Sequence, residues 1–205
     1  MKEFSFKTRH SEIFIARYDK NEPPLLLKQY ESDPVFSRFF EGKSHKYLLQ
    51  QALKVDLLKK LDLLEPLHYL PSGKPVLNDG RFISVSHSAD DVAVMISSDV
   101  AVGIDIQLYS EKPRKLLDKF ASEAEKKKLE VLLKNNLPVY LWSAKEAVYK
   151  AAGIPGLSFK NDIRVIFKDR LPYEASVYVK GEVHNFRLIA GKIEDLFMVS
   201  AERIT

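Results

Sequence analysis

Apolar positions along this chain follow two periods, and each change of period marks an element. From residue 43 to 64, Tyr47, Leu48, Gln51, Ala52, Val55, Leu58 and Leu61 fall at helical spacing, which predicts a helix with His45 and Lys46 in its first turn. From 82 to 107 the period becomes two. Stretches 82–86, 92–97 and 100–107 read as three strands joined at Asp90-Asp91 and Ser98-Asp99. A helical pattern returns over 115–135. It breaks near Ser122, where Ser122 and Glu125 have the spacing of a capping box. In the stretch Trp142-Ser143-Ala144-Lys145-Glu146-Ala147-Val148-Tyr149-Lys150, Leu141, Ala144, Val148, Ala151 and Ala152 share one face, while Trp142, Glu146 and Lys150 share another. Pro138 suits the first turn of this helix, and Gly153 followed by Pro155 ends it. Residues 162–168, 173–180, 182–191 and 196–204 alternate as antiparallel strands, as do 4–9 and 12–18. Glu22-Pro23-Pro24 and Glu41-Gly42, the latter preceded by the stretch 36–40, are interruptions, and 66–75 reads as a loop around Gly73-Lys74-Pro75. The order helix then strands occurs twice, so the pattern predicts an α+β fold of two similar lobes, 1–108 and 109–205.

Composition narrows the chemistry. The chain has no Cys, which removes disulfides, thiolate metal sites and a thiol nucleophile. Its N-terminus is charged and lacks a signal-peptide core, and no apolar run reaches membrane-spanning length. These features together fit a cytoplasmic protein. The net charge of +4 favours acidic or phosphorylated partners. Most of that excess is local, since residues 109–135 hold eight Lys/Arg against five Asp/Glu.

Several polar residues stand where packing alone does not ask for them. In the third strand of the 82–107 set, Asp105 and Gln107 project from one face of an otherwise apolar strand, and burying an Asp costs free energy unless it is paired or bound to metal. Glu146 precedes Lys150 by four residues, the favourable order for a helical ion pair. A solvated helix face reads the same way. His87 follows the strand 82–86, Lys74 sits in a stiff open loop, and Lys46 lies at a helix N-terminus, where a phosphate is at home.

These residues fall into four motifs: Gly73-Lys74-Pro75, Ser84-Val85-Ser86-His87-Ser88, Val102-Gly103-Ile104-Asp105-Ile106-Gln107, and the Trp142–Lys150 stretch. In order and spacing they resemble the 4′-phosphopantetheinyl transferases of the surfactin-synthetase-activating (Sfp-like) type. The resemblance covers roughly residues 36–157. It implies a monomer of two α/β lobes related by a pseudo-twofold, with coenzyme A between them. The implied reaction moves phosphopantetheine from coenzyme A to a serine of an apo acyl or peptidyl carrier protein, such as the acyl carrier protein of fatty acid biosynthesis, and releases 3′,5′-ADP. By the same resemblance Asp105 and Glu146 ligate Mg²⁺, and Gln107 stands where many relatives have Glu. Lys150 and His87 contact the phosphates, Lys74 and Lys46 hold the 3′-phosphate, and Ser86 offers a hydroxyl. Lys145 points elsewhere, and Trp142 packs beneath the site.

The basic stretch 109–135 is expected to face the acidic carrier, with Leu116, Leu117 and Phe120 adding apolar contact. Two other classes compete. The basic balance suits a nucleic-acid binder, but no aromatic RNA motif, zinc spacing or basic arm accompanies it. An inactive carrier-binding module would have no need of both Asp105 and Glu146. The reading is therefore an enzyme that uses neither nucleic acid nor membrane.

Overall fold

The computed structural model describes residues 2–17, 44–132 and 136–204. The features expected at 22–24 and 36–42 lie outside these residues, as does the side chain of Lys46.

Two antiparallel sheets form the frame. The first has the order β1-β2-β6-β5, from β1 (Lys2–Lys7), β2 (Ser11–Arg17), β5 (Phe82–Ser88) and β6 (Asp91–Ser97). The second has the order β7-β11-β10-β9-β8, from β7 (Val102–Leu108), β8 (Ile163–Lys168), β9 (Leu171–Val179), β10 (Glu182–Ile193) and β11 (Leu196–Arg203). A small hairpin, β3 (Leu67–Tyr69) with β4 (Pro75–Leu77), flanks β5. The loop expected over 66–75 therefore begins and ends in short strands.

Each sheet carries a sixteen-residue helix: α1 (His45–Lys60) on the first and α5 (Leu137–Ala152) on the second. Ser44 caps α1, its hydroxyl accepting the Tyr47 N–H. The apolar face of α1 packs Leu53, Leu57 and Leu58 on Ala16, Ile83, Val92 and Val94. The other face of that sheet, with Ile13, Ile15, Ala93 and Met95, meets Val102, Ile104, Ile106, Leu196 and Met198 of the second sheet. The second sheet's outer face takes α5, with Leu141, Ala144, Ala147 and Val148 on Phe186, Leu188, Phe197 and Val199. Strands β2 and β6 thus have apolar neighbours on both faces, which is why their middles read as near-continuous apolar runs.

Short helices α2 (Lys112–Lys115), α3 (Leu117–Phe120) and α4 (Glu123–Leu132) connect β7 to α5. The expected break near Ser122 is present. The Glu125 N–H bonds Ser122 Oγ at 3.3 Å, and the Ser122 N–H bonds Glu125 Oε2 at 2.8 Å. Phe120 departs from expectation. It is buried and packs edge-on against Trp142 at 5.1 Å between ring centroids, so it belongs to the core and not to a docking surface.

The two sheets meet at β5 and β7. These strands share no backbone ladder; side chains join them instead. Ser84, Ser86 and Ser88 accept the N–H groups of Ile104, Ile106 and Leu108 at 3.1, 3.2 and 3.1 Å. Serine at every second position of β5 thus satisfies the free edge of β7, which would otherwise hold buried, unpaired donors. A division after residue 108 passes through this region, because β7 precedes it in sequence and pairs with β11 beyond it.

Candidate functional site

The site lies where β5, β7 and α5 come together, and Gly103 brings them close. A Cβ on Gly103 would sit 1.9 Å from the Ala147 carbonyl oxygen. The strand and helix therefore touch through backbone, and the next residues on that strand face, Asp105 and Gln107, follow α5 back toward its N-terminus.

Asp105 is buried. Its Oδ1 accepts from Lys150 Nζ at 3.0 Å and from Ser86 Oγ at 3.1 Å. Lys150 also donates to the Ile104 carbonyl at 2.8 Å and to Ser86 Oγ at 3.2 Å. The single proton of the Ser86 hydroxyl is thereby directed at Asp105, and its lone pairs are taken by Lys150 and the Ile106 N–H. A phosphate contact from Ser86 would require Asp105 to release it.

Lys150 pairs with Asp105 across the sheet–helix junction and makes no ion pair with Glu146 one turn away. Glu146 has no hydrogen bond to any described residue. Burial, reinforced by the charge of Asp105, pushes its carboxyl above the usual carboxylate range, and Lys150 only partly offsets this. Two carboxylates are thus held near one another with one of them unpaired. Among the described residues no three His, Cys, Asp or Glu side chains converge. The acidic part of the site is therefore this pair, and the oxygen donors suit a hard cation that completes its shell with water and ligand phosphate, as Mg²⁺ does.

Gln107 Nε2 donates to Ser143 Oγ at 2.8 Å and to the Val139 carbonyl at 3.3 Å. Both amide protons are thus given to α5, and the amide oxygen is left as the free end.

His87 ends β5 on the face toward α1 and keeps an open edge to solvent. It is nonetheless flanked closely enough that desolvation is the largest influence on its imidazole. Lys150 and Lys54 lower its pKa further, with Asp105 opposing them. It is neutral at pH 7.

Lys74 lies on the β3–β4 turn, and its ammonium rests over Gly153, where a Cβ would come within 2.3 Å of it. Gly153 ends α5 with φ 64°, so its missing side chain serves both the left-handed turn and the lysine. Burial lowers the Lys74 pKa, and its ammonium bonds no described residue. Lys74 and Lys150 line one cleft of about 410 Å³, whose apolar wall includes Val85, Tyr149 and Ile154.

Lys145 takes no part in this cluster. It is fully buried and donates to Glu125 Oε2, the Phe159 carbonyl and the Ile163 carbonyl at 2.8, 2.6 and 2.9 Å. All three ammonium protons are satisfied, so its role is to tie α4, α5 and β8 together. Trp142 packs between Phe120 and Phe159. Sequence reasoning missed Lys54, on α1, whose charge reaches His87. Its only signal was a Lys in a mostly buried helix.

A Synechocystis sp. protein provisionally named a 4′-phosphopantetheinyl transferase is 32% identical over 125 residues, which cover 55% of this chain and 51% of that protein. The match thus spans about half the length of that relative. No helix among the described residues is long and apolar enough to cross a membrane. The family model described as the 4′-phosphopantetheinyl transferase superfamily matches residues 101–197, the stretch that holds Asp105, Gln107, Glu146 and Lys150.

Proposed function

We propose that the protein transfers 4′-phosphopantetheine from coenzyme A to a serine of an apo acyl or peptidyl carrier protein, releasing 3′,5′-ADP. The observation that carries this is the Asp105–Lys150–Ser86 cluster beside an unpaired Glu146, at a cleft whose far end holds the free ammonium of Lys74. A cleft with cations along it and an apolar wall suits a long ligand charged at its phosphates and apolar between them. The two helix-backed sheets are read as the two lobes, with the ligand at their β5–β7 seam.

In this reading the serine oxygen forms a bond to the β-phosphorus of coenzyme A. The bond from that phosphorus to the bridging oxygen breaks, and its electron pair leaves on 3′,5′-ADP. Asp105 and Glu146, with the free oxygen of Gln107, would hold Mg²⁺, which neutralises pyrophosphate charge when bound. Lys150 stabilises negative charge as it develops on the phosphate. His87, being neutral, donates one N–H to a phosphate oxygen without repelling its neighbouring lysines. Lys74 holds the 3′-phosphate. Glu146, or a water at the site, would receive the serine proton. The basic surface of α2, α3 and α4 steers an acidic carrier, and the strongly exposed Val131 offers apolar contact there.

The test is incubation with coenzyme A, Mg²⁺ and several apo carrier proteins, followed by mass spectrometry of the carrier. Addition of one phosphopantetheine, blocked by EDTA, is expected. A folded protein that modifies none of the carriers overturns the reading.

A further inference from the structure

Helix α1 brings a cation to the site that the four motifs do not include. Gln50 donates from Nε2 to the Ala89 carbonyl at 2.9 Å, anchoring this face of α1 on the β5–β6 turn just past His87. Lys54 lies one turn further along the same face. Its Nζ stands 5.5 Å from the ring centroid of Tyr69. Tyr69 pairs with Pro75 across the β3–β4 hairpin, and cross-strand partners project to the same face. Pro75 lines the cleft beside Lys74. Lys54 thus reaches from α1 toward the hairpin that carries Lys74 and toward the imidazole that Lys150 approaches from α5.

The surroundings of Lys54 point to an anion. It is half-buried, and it forms no hydrogen bond or ion pair with a described residue. Some lysines on this protein have found carboxylates: Lys60 bonds Glu3 at 2.6 Å and Lys126 bonds Asp118 at 2.6 Å. Lys54 rests instead on an aromatic ring that is itself half exposed. A cation–π contact is weaker than a charge-assisted bond to phosphate, so an arriving phosphate draws the ammonium away from the ring.

We propose that Lys54 is a further ligand-binding residue of this site, which leaves Tyr69 to hold a phosphate oxygen on the α1 side of His87, opposite Lys150. The inference deepens the transferase reading and rests on it for the identity of the ligand. The hairpin that carries both Tyr69 and Lys74 couples the two lysines.

The experiment uses the full chain and inorganic pyrophosphate, read by calorimetry, so that it needs neither carrier nor turnover. Lys54→Met is expected to weaken pyrophosphate about tenfold, and Lys54→Arg to restore most of the loss. Lys168→Met is the control, because Lys168 stands 5.1 Å over Tyr173 in the same cation–π geometry at the far edge of the second sheet. Its affinity should equal that of the parent. Melting temperatures should match across all four proteins, since Lys54 holds nothing in place. In turnover, Lys54→Met should raise KM for coenzyme A and leave kcat nearly unchanged. Equal pyrophosphate affinity in Lys54→Met and the parent overturns the proposal, as does a parent that binds no pyrophosphate. A parent that binds pyrophosphate through Lys54 but modifies no carrier would sustain the Lys54 site and reject the transferase reading.

Discussion

Gly103 lies directly beneath the backbone of Ala147. A Cβ placed on it would be 1.9 Å from the Ala147 oxygen and 2.7 Å from the Ala151 nitrogen. Both are helix backbone atoms, which cannot yield as a flexible side chain would. Gly103→Ala must therefore push α5 off β7. Overpacking of a well-packed core costs about 1–3 kcal/mol, and the upper end is expected here. Activity should fall further than stability, because the same shift separates Asp105 from Lys150. Denaturant midpoints and turnover of the folded fraction measure the two effects; an unchanged midpoint would mean that the contact is slack.

Glu146 links the site to pH. Its folded-state pKa is raised, first by burial and then by Asp105. The folded protein therefore holds this proton more tightly than the unfolded chain does. The charged form costs stability above the folded pKa, and that cost disappears as pH falls toward 4.5, the ordinary value of a glutamate carboxyl. Glu146→Gln should accordingly melt higher than the parent at pH 8, by about 2–4 °C for each kcal/mol recovered, and the gap should close on acidification. Turnover should drop by orders of magnitude in the same protein. Added Mg²⁺ should raise the melting temperature of the parent and leave that of the variant nearly unmoved. A variant less stable than the parent at pH 8 would show that Glu146 is paired and not strained.

The neighbouring Lys145 has the opposite character. Its loss strands Glu125, whose oxygens already serve Ser122 and Val165, as a buried charge. Breaking a buried pair costs about 3–5 kcal/mol. Lys145→Ala should lose that much in chemical denaturation, whereas Lys150→Ala should lose less, because Asp105 keeps the Ser86 hydroxyl and lies nearer solvent than Glu125, and should lose nearly all activity. The double variant Glu125→Leu with Lys145→Met should recover most of the stability. If Lys145→Ala were as stable as the parent, the pair would not hold α4 to β8.

The contrast between these two lysines marks where sequence reading works and where it stops. Helical and strand periods located α1, α5 and the strands from β5 to β11 within a few residues, because each buries an apolar stripe. The Ser122–Glu125 box and the Gly153 stop were legible for the same reason, since both are local chemistry. Strands β3 and β4 are three residues each and show no period to read. Pairing was not legible either: Asp105 sits opposite Val199, a partner 94 positions away that no local pattern names. The period-two serines of β5 were visible, but their role as acceptors for the edge of β7 needs both sheets. Phe120 looked available because α3 is short and charged, and only the position of Trp142 shows it buried. Lys145 and Lys150 share a motif five residues apart, and the helix turns one into the core and the other to the site. Lys150 was expected opposite Glu146, yet it bonds Asp105, which leaves Glu146 without a partner.

Gln107 shows how a packing contact sets the terms for a change in the site. Its amide donates to Ser143, which is fully buried, and to the Val139 carbonyl. In Gln107→Glu the Ser143 hydroxyl reverses and donates to the new carboxylate, so that bond survives. The Val139 carbonyl has no such remedy and faces an oxygen at the former 3.3 Å contact. Losing that bond and adding repulsion should cost about 1–2 kcal/mol in the metal-free protein. Against this, a third carboxyl charge would attract Mg²⁺. A unit charge near 4 Å at an effective dielectric of about 20 sets a ceiling of roughly 4 kcal/mol, and partial solvation leaves on the order of 1 kcal/mol. The two effects separate by experiment. The melting temperature of Gln107→Glu should fall below the parent without metal and recover with saturating Mg²⁺. Half-maximal activity should need several-fold less Mg²⁺, while metal-free affinity for coenzyme A should weaken because the new charge faces its pyrophosphate. A variant that loses stability yet shows the parental Mg²⁺ requirement would mean that the Gln107 oxygen serves α5 alone and lies outside the metal's reach.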